Sequence, residues 1–266
     1  MNLKMRQTLD MHKRIIIKVG TTTIALENGR INLRRIDKLS WVLTALHSLG
    51  KEIILVSSGA IAVGAERLEQ IERPRDTAGK QAASAVGQAI LMQIYLNFFA
   101  AYNQKIAQVL LTPDVLENVT RKENARNTLF ALLSMGVLPI VNANDTVSTD
   151  ELGFSDNDTL SAQVACLTDS DMLIILSDID GLYDADPRIE PNANLLSEVN
   201  PFSKELESMA SGSGSFLGTG GMITKVYAAK AAAAAGIDTI IASGEDPGVL
   251  FDIMDGKPIG TLLTCR

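Results

Sequence analysis

Short, almost uninterrupted runs of aliphatic residues alternate along this chain with longer segments of helical periodicity. A strand that is covered on both faces of a parallel sheet is apolar throughout, whereas a half-exposed strand alternates apolar and polar residues. The runs predicted as buried strands are residues 14–20, 52–57, 105–111, 137–142, 171–177 and 237–242. The segments predicted as helices are residues 35–49, 81–101, 121–135, 159–167 and 222–235. This repetition, with right-handed crossovers, predicts an α/β fold: a three-layer α/β/α sandwich around a central, mostly parallel sheet.

The net charge of the chain limits the classes of partner that it can bind. The 266 residues contain 24 Lys+Arg and 31 Asp+Glu, a formal net charge of −7. A protein that coats nucleic acid or a membrane surface needs a basic face, so we expect neither partner. Any site for an anion must therefore be built locally.

Cysteine and histidine are too scarce for several kinds of site. Two cysteines and two histidines cannot form a disulfide framework or a cysteine-rich zinc site, so we expect no metal held by protein ligands alone. The polar N-terminal residues lack the apolar core of a secretion signal, and no run approaches about 18 consecutive apolar residues. These features predict a cytoplasmic protein.

Two segments have alternative structural interpretations, and a third is predicted as one more strand. The predicted helix over residues 81–101 is apolar almost all round, so it is buried within the domain or against another subunit. The glycine-rich stretch 211–221 is an interdomain linker or a ligand-binding loop, and its direct entry into a helix favours the loop. Residues 260–264 predict a further strand at an edge of the sheet.

Lys18 lies inside the first predicted strand, next to three isoleucines and just before Gly20 and Thr21. An ammonium group in such a run is costly unless it meets an anion or water, and the turn after it can direct backbone N–H groups at a phosphate. The alternative is a lysine on an edge strand that extends into solvent.

Polar residues also follow the later strands, where ligands bind in open parallel sheets. Ser58 precedes a helix after the second strand; Asp145 and then Asn157 and Asp158 follow the fourth; Asp178 follows the fifth. Each has an ordinary structural explanation as a helix cap or turn residue. Their shared position at one edge nonetheless indicates a binding site.

The stretch from Gly218 to Lys225 is the strongest single motif. Its glycines let the backbone approach a polyphosphate, the following helix N-terminus supplies N–H donors, and Lys225 lies one turn inside. It matches neither the Walker A loop nor the Gly-x-Gly-x-x-Gly fingerprint.

Taken in order, these segments resemble the amino acid kinase family, and within it the branch that acts on glutamate. The matching runs are residues 17–21 (IKVGT), 57–62 (SSGAIA), 142–145 (NAND), 156–162 (DNDTLSA), 177–183 (SDIDGLY), 218–222 (GTGGM) and 236–241 (GIDTII). The resemblance covers residues 13–264 and rests on the ordered set rather than on any one motif.

The resemblance implies ATP-dependent phosphorylation of the γ-carboxylate of L-glutamate, the first step of proline biosynthesis, with Mg²⁺ bound to the nucleotide. Ser58, Asp145 and Asn157 would bind glutamate. Lys18 and Lys225 would act on the transferring phosphoryl group, and Asp158 would orient both lysines. The residues implied at the nucleotide are Lys18, Ser177, Asp178, Thr219, Gly220, Gly221, Met222, Ile223, Thr224 and Lys225.

The resemblance also predicts how the chain is organised. Residues 1–13 form an N-terminal extension and residues 14–266 a single kinase domain, with an amino-acid-binding half over about 14–170 and a nucleotide-binding half over about 171–266. We expect the kinase domain alone, without the C-terminal PUA domain of many relatives.

The resemblance also implies proline as a feedback inhibitor. The apolar helix over residues 81–101 predicts self-association into a dimer or tetramer. Because the product is labile to water, we expect its hand-over to glutamyl phosphate reductase. A covering loop over residues 67–80 would serve the same protective purpose.

Two alternatives stay open at this point. A kinase of the same fold can act on another acceptor: N-acetylglutamate, aspartate, carbamate or a nucleoside monophosphate. The chain can also be a non-catalytic sensor that binds an amino acid at the same edge. Both lysines and the glycine loop favour a kinase, and the Asn and Asp residues favour a free amino acid as its acceptor.

Overall fold

The computed structural model describes residues 6, 9–26, 30–70, 74–147, 157–185, 187, 189–190, 192–204, 206 and 221–264. Within them the strands are β1 (Arg14–Val19), β2 (Glu52–Ser57), β3 (Ile106–Leu111), β4 (Leu138–Ala143), β5 (Met172–Ser177), β6 (Glu198–Val199), β7 (Asp238–Ser243) and β8 (Thr261–Leu263). They form one sheet in the order β3-β4-β2-β1-β5-β7-β8-β6. The β7–β8 pair is antiparallel and the other pairs are parallel.

Helices cover both faces of this sheet. They are α1 (Thr21–Ile24), α2 (Leu33–Ser48), α3 (Ala60–Arg67), α4 (Thr77–Ala101), α5 (Pro113–Glu117), α6 (Val119–Ser134), α7 (Asn157–Leu167), α8 (Gly221–Ala234) and α9 (Val249–Met254). A short 3-10 helix, Leu9–Met11, precedes β1. The predicted three-layer α/β/α sandwich is confirmed.

The side chains of each central strand alternate between two hydrophobic cores. Ile15 and Ile17 of β1 pack into the core shared with α2, α4 and α9. Ile16 packs into the opposite core, which holds α6, α7 and α8. Because side chains two residues apart point to the same face of a sheet, Lys18 emerges on the α7 and α8 side.

One prediction about sheet edges is wrong, and one alternative is excluded. Strand β8 is internal, because the two-residue strand β6 pairs along its outer side. Strand β1, which carries Lys18, lies in the middle of the sheet between β2 and β5. Lys18 therefore cannot reach solvent from a sheet edge, and its ammonium group needs a partner inside the molecule.

Helix α4 combines unusual length with strong hydrophobicity. Over an 18-residue window its mean hydropathy is 1.2, so by length and composition alone it is long and apolar enough to cross a membrane. Its residues Leu91, Tyr95 and Phe99 are nevertheless fully or almost fully buried in the core that it shares with α2. We interpret α4 as a core helix.

Helices α3 and α4 approach each other at backbone distance. A Cβ atom added to Gly64 of α3 would lie 1.7 Å from the carbonyl oxygen of Ala83, and one added to Gly87 of α4 would lie 1.8 Å from that of Ala60. A glycine inside a helix lowers the stability of the helix by about 1 kcal/mol relative to alanine. The two glycines are explained by the close approach of the helices, which leaves no space for a Cβ atom at either position. The crossing fixes α4 beside the edge where β2 ends and α3 begins.

We expect Gly87→Ala to lower the free energy of unfolding by about 1–3 kcal/mol, since the added methyl group must push two backbones apart. Urea denaturation followed by circular dichroism measures the change. Ala89→Ser, at an exposed position of the same helix, is the control and should change stability by less than about 0.5 kcal/mol. A stabilising effect, as for an ordinary helical glycine, would contradict the close crossing.

Candidate active site

The strand order changes direction between β1 and β5. The chain passes from β1 to its neighbour β2 on one side, and β5 later lies against the other side of β1. In open α/β sheets the crevice beyond the carboxyl ends of the strands at such a point is the usual ligand site. The predicted polar residues gather at this edge.

A buried carboxylate joins two lysines from distant parts of the chain. Nζ of Lys18 lies 2.5 Å from Oδ1 of Asp158, and Nζ of Lys225 lies 3.1 Å from Oδ2. Asp158 is 1% exposed, Lys18 5% and Lys225 8%. Asp158 lies in the first turn of α7, Lys225 in the first turns of α8, and Lys18 near the end of β1. The three side chains meet because α7 and α8 cover the face of the sheet on which the side chain of Lys18 emerges.

Further hydrogen bonds fix this cluster. The hydroxyl of Thr224 donates to Oδ2 of Asp158 over 3.0 Å, and Nζ of Lys225 donates to the carbonyl oxygen of Gly221 over 2.7 Å. Burial raises the pKa of the Asp158 carboxyl, but the charges and hydrogen bonds of Lys18 and Lys225 outweigh it and leave that pKa below its ordinary value. Asp158 is therefore ionised at neutral pH.

A first cavity, of about 380 Å³, opens on the β1, β2 and β4 side of the cluster. Polar groups dominate its described wall: Lys18, Thr21, Ser58, Lys80, Asn142, Asp145 and Asn157. Gly59 adopts φ +99°, in the left-handed region, as the chain turns from β2 into α3.

Amide and hydroxyl groups organise the wall of the first cavity. The side-chain amide of Asn157 lies within hydrogen-bond distance of the Ser57 carbonyl oxygen (2.8 Å), Oγ of Ser58 (2.9 Å) and Oδ1 of Asn142 (2.9 Å). The hydroxyl of Ser84 donates to Oδ2 of Asp145 over 2.8 Å. The ends of β2 and β4 and the helices α4 and α7 are thereby connected around one space.

A second cavity, of about 710 Å³, opens on the β5 and β7 side. Its described wall contains Ser177, Asp178, Asp180, Tyr183, Gly221, Met222, Lys225, Ser243 and Glu245. Ser177 and Ser243 end two paired strands in register, and the Ser177 hydroxyl donates to Asp178 over 2.9 Å. Lys18 thus lines the first cavity, Lys225 lines the second, and both contact Asp158.

The structure brings most of the predicted site residues to these two cavities or to the cluster. Ser58, Asp145 and Asn157 line the first cavity, and Ser177, Asp178, Gly221 and Met222 line the second. Ile223 and Thr224 lie in the first turn of α8, and of these two only Thr224 contacts the cluster among the described hydrogen bonds. Thr219 and Gly220 lie outside the described residues, as do parts of the predicted covering loop at residues 71–73.

Sequence reasoning missed several residues of this edge. Lys80, the last residue of the predicted covering loop over residues 67–80, lies instead in the first turn of α4, which begins at Thr77. Ser84 lies one turn further along this helix, whose pattern indicated only burial. Glu245 follows β7 and lines the second cavity. For Lys80 and Ser84, no local signal separates them from ordinary surface polar residues; only the tertiary position of α4 does.

Comparison with known families and proteins gives consistent matches. The model of the amino acid kinase family matches residues 13–243. A glutamate 5-kinase from Clostridium perfringens is 52% identical over 266 residues, covering 98% of this chain and 99% of the relative. A glutamate 5-kinase from Listeria welshimeri is 50% identical, covering 97% of this chain and 95% of the relative.

A solved structure shares the fold. The UMP kinase from Bacillus anthracis superimposes with a TM-score of 0.65 at 18% identity, covering 95% of this chain and 96% of that chain. At this identity the likeness concerns the fold alone.

Proposed function

Because the chain belongs to the amino acid kinase family, we propose that it catalyses the ATP-dependent phosphorylation of the γ-carboxylate of L-glutamate. The product is L-glutamyl 5-phosphate, the first intermediate of proline biosynthesis. The observation that carries this proposal is a single buried carboxylate, Asp158, contacting one lysine from each of two neighbouring cavities. Such an arrangement suits phosphoryl transfer, which depends on bringing donor and acceptor together and on cationic groups around the transferring phosphoryl group.

The first cavity holds the acceptor in this proposal. Ser58 and Asn157 supply a hydroxyl and an amide for the reacting end of glutamate, and Asp145 supplies a carboxylate for the α-ammonium group. A partner for a free ammonium favours glutamate over N-acetylglutamate, whose nitrogen is uncharged. The amino-acid-binding half of the domain would thus be about residues 14–170.

The second cavity holds the nucleotide, in the half over about residues 171–266. Ser177 and Asp178 lie at its wall, and Gly221, Met222 and Lys225 approach it from the N-terminus of α8. Backbone N–H groups at a helix N-terminus bind phosphate well. Ile223 and Thr224 continue that turn, and we assign Thr219 and Gly220 to the same phosphate-binding segment.

The chemistry needs no general base. The side chain of glutamate has an ordinary pKa of about 4.3, so the nucleophile is already anionic at neutral pH. One carboxylate oxygen attacks the γ-phosphorus of ATP, the bond from that phosphorus to the β,γ-bridging oxygen breaks, and ADP leaves. The obstacle is repulsion between two anions, and catalysis of such transfers is mostly positioning and electrostatic stabilisation.

The two lysines supply that stabilisation. Lys18 approaches the transferring group from the acceptor side and Lys225 from the nucleotide side. Asp158 holds the two ammonium groups in fixed positions and offsets their mutual repulsion. A buried, ionised carboxylate suits this task because it does not exchange protons with the reactants.

Mg²⁺ would accompany the nucleotide, a proposal that the donor groups of the second cavity fit. Mg²⁺ prefers oxygen ligands and is usually held by one or two carboxylates together with phosphates. Asp178 and Asp180 offer carboxylates at the cavity wall. When bound, the ion would neutralise part of the negative charge of the phosphates.

Other predictions about the environment of this enzyme remain predictions. They are a cytoplasmic location, a homo-oligomer, inhibition by proline and hand-over to a reductase. Exposed apolar residues such as Leu96 of α4, 52% exposed, support self-association, and the lability of an acyl phosphate supports hand-over. The N-terminal extension over residues 1–13 and the single domain over 14–266 complete the proposed organisation.

The decisive experiment traps the product with hydroxylamine. The protein is incubated with ATP, Mg²⁺ and L-glutamate, and the coloured γ-glutamyl hydroxamate is measured with and without proline. Parallel reactions contain N-acetylglutamate or aspartate, and consumption of ATP is followed with carbamate or a nucleoside monophosphate. Glutamate-dependent hydroxamate is expected; faster reaction with another acceptor, or binding without turnover, would overturn the proposal.

We expect Asp145→Ala to raise the KM for glutamate by about 10- to 100-fold, as for loss of a hydrogen bond to a charged group. The kcat should change little, since Asp145 is assigned to the non-reacting end of the substrate. Steady-state kinetics at saturating ATP measure both constants. Ser84→Ala, which removes only the hydroxyl that positions Asp145, should have a smaller effect in the same direction. A fall in kcat at unchanged KM would reverse this assignment.

A further inference from the structure

We propose that Lys80 binds the α-carboxylate of the acceptor and thereby selects α-amino acids over amines that carry only the reacting carboxylate. This inference rests on the proposed function and specifies how the first cavity recognises its substrate. Lys80 is half-buried and lines that cavity together with Lys18 and Asp145.

The backbone of Lys80 is fixed by the capped first turn of α4. Oδ1 of Asp76 accepts the N–H of Gly79 over 2.8 Å, and the N–H of Lys80 donates to the Asp76 carbonyl oxygen over 3.1 Å. A Cβ atom on Gly79 would lie 2.8 Å from Cβ of Pro74. Together with the glycine crossing of α3 and α4, these contacts hold the start of the helix against the cavity.

Lys80 belongs to a stripe of residues that organises the cavity wall. Lys80, Ser84 and Gln88 are spaced four apart on α4, so they share one face of the helix. Ser84 donates to Asp145 over 2.8 Å, and Gln88 accepts from the side-chain amide of Asn142 over 2.8 Å. Lys80 therefore lies one helical turn before Ser84, the residue that positions Asp145.

The charges of the described wall complement those of glutamate. The substrate has one ammonium and two carboxylates, and the wall offers one carboxylate, Asp145, and two ammonium groups, Lys18 and Lys80. Lys18 is bound to Asp158 and assigned to the phosphoryl group. The α-ammonium and α-carboxylate share one carbon atom, and their assigned partners, Asp145 and Lys80, are likewise joined through the α4 stripe.

The test combines an enzyme variant with a substrate that lacks the same interaction. The substrate 4-aminobutyrate keeps the ammonium and the reacting carboxylate of glutamate but has no α-carboxylate. Wild type and Lys80→Met are compared with both substrates in the hydroxamate assay, and 4-aminobutyrate is also measured as a competitive inhibitor against glutamate. Lys80→Arg and Lys122→Met, which changes an exposed lysine of α6, are the matched variants.

We expect Lys80→Met to lower kcat/KM for glutamate by about 10- to 100-fold, mainly through KM. The kcat/KM or inhibition constant for 4-aminobutyrate should change less than about threefold, so that the variant loses most of its preference for glutamate. Lys80→Arg should retain most of that preference, and Lys122→Met all of it.

Two results would overturn the inference. Equal losses with glutamate and 4-aminobutyrate would mean that Lys80 supports the site generally, and no loss with glutamate would mean that it does not touch the substrate. Absence of glutamate-dependent hydroxamate in wild type would instead refute the proposed function itself.

Discussion

Asp158→Asn is expected to lower kcat by at least about 100-fold and the free energy of unfolding by about 3–5 kcal/mol. The substitution keeps the shape of the side chain but removes its charge, leaving Lys18 and Lys225 buried without the anion that offsets their repulsion. Activity falls because the two ammonium groups repel each other and move out of position, and stability falls because buried cations without a counter-ion are costly. Steady-state kinetics per folded protein and urea denaturation measure the two effects.

The difference in unfolding free energy between wild type and Asp158→Asn should depend on pH in one direction only. The pKa of Asp158 is lowered in the folded state, so its contribution is fully present above the ordinary carboxyl pKa of about 3.9 and is lost as pH falls through the lowered value. The gap in unfolding free energy between wild type and Asp158→Asn should therefore stay constant at neutral pH and narrow only in acid. A gap that narrows near neutral pH would mean that Asp158 is not ionised there.

Two further variants test whether the stability loss of Asp158→Asn comes from repulsion between the buried lysines or from a general disruption of the structure. Asp252→Asn removes an exposed carboxylate that pairs with Lys257 and should cost no more than about 1 kcal/mol. Combining Asp158→Asn with Lys225→Met removes one of the two stranded cations, so it should recover stability without recovering activity. If the double variant were no more stable than Asp158→Asn alone, repulsion between the lysines would not be the cause.

The sheet and its helices could be predicted from sequence because their signals are local. Apolar runs mark the central strands, and the boundaries of each predicted strand lie within one residue of the observed ones, whereas the two-residue strand β6 is not predicted. Helix starts are less well predicted, since caps decide them: α4 begins at Thr77 rather than at residue 81 because Asp76 caps the Gly79 N–H. The place of β8 inside the sheet depends on pairing with β6, more than 60 residues away in the chain, which no local pattern encodes.

The residues of the candidate site likewise fall into two groups: those whose position a local rule predicts, and those whose position depends on tertiary packing. The positions of Ser58, Asp145 and Asp178 follow from one rule, that the carboxyl ends of parallel strands share an edge. The direction of Lys18 also follows from alternation with Ile16 along β1. Lys80 does not follow from any such rule, because its arrival at the cavity depends on two glycines, Gly64 and Gly87, that bring two helices together.

Removing either lysine of the cluster is expected to lower kcat by about 100-fold or more, with a much smaller change in the KM for glutamate. Both ammonium groups are assigned to charge that is transferred during the reaction, so their contribution belongs to the transition state rather than to substrate binding. Lys18→Met and Lys225→Met are compared by steady-state kinetics. Lys105→Met, at an exposed position before β3, serves as the control and should behave as wild type.

The two lysine substitutions should differ in the substrate whose KM they change. Lys18 lines the first cavity and Lys225 the second, so any change in KM should concern glutamate for Lys18→Met and ATP for Lys225→Met. Arginine should not restore either, because its planar guanidinium cannot replace a compact ammonium 2.5 Å or 3.1 Å from Asp158. If both variants instead kept their kcat and lost only affinity for glutamate, the lysines would bind substrate, and phosphoryl transfer would have to occur elsewhere along the edge of the sheet.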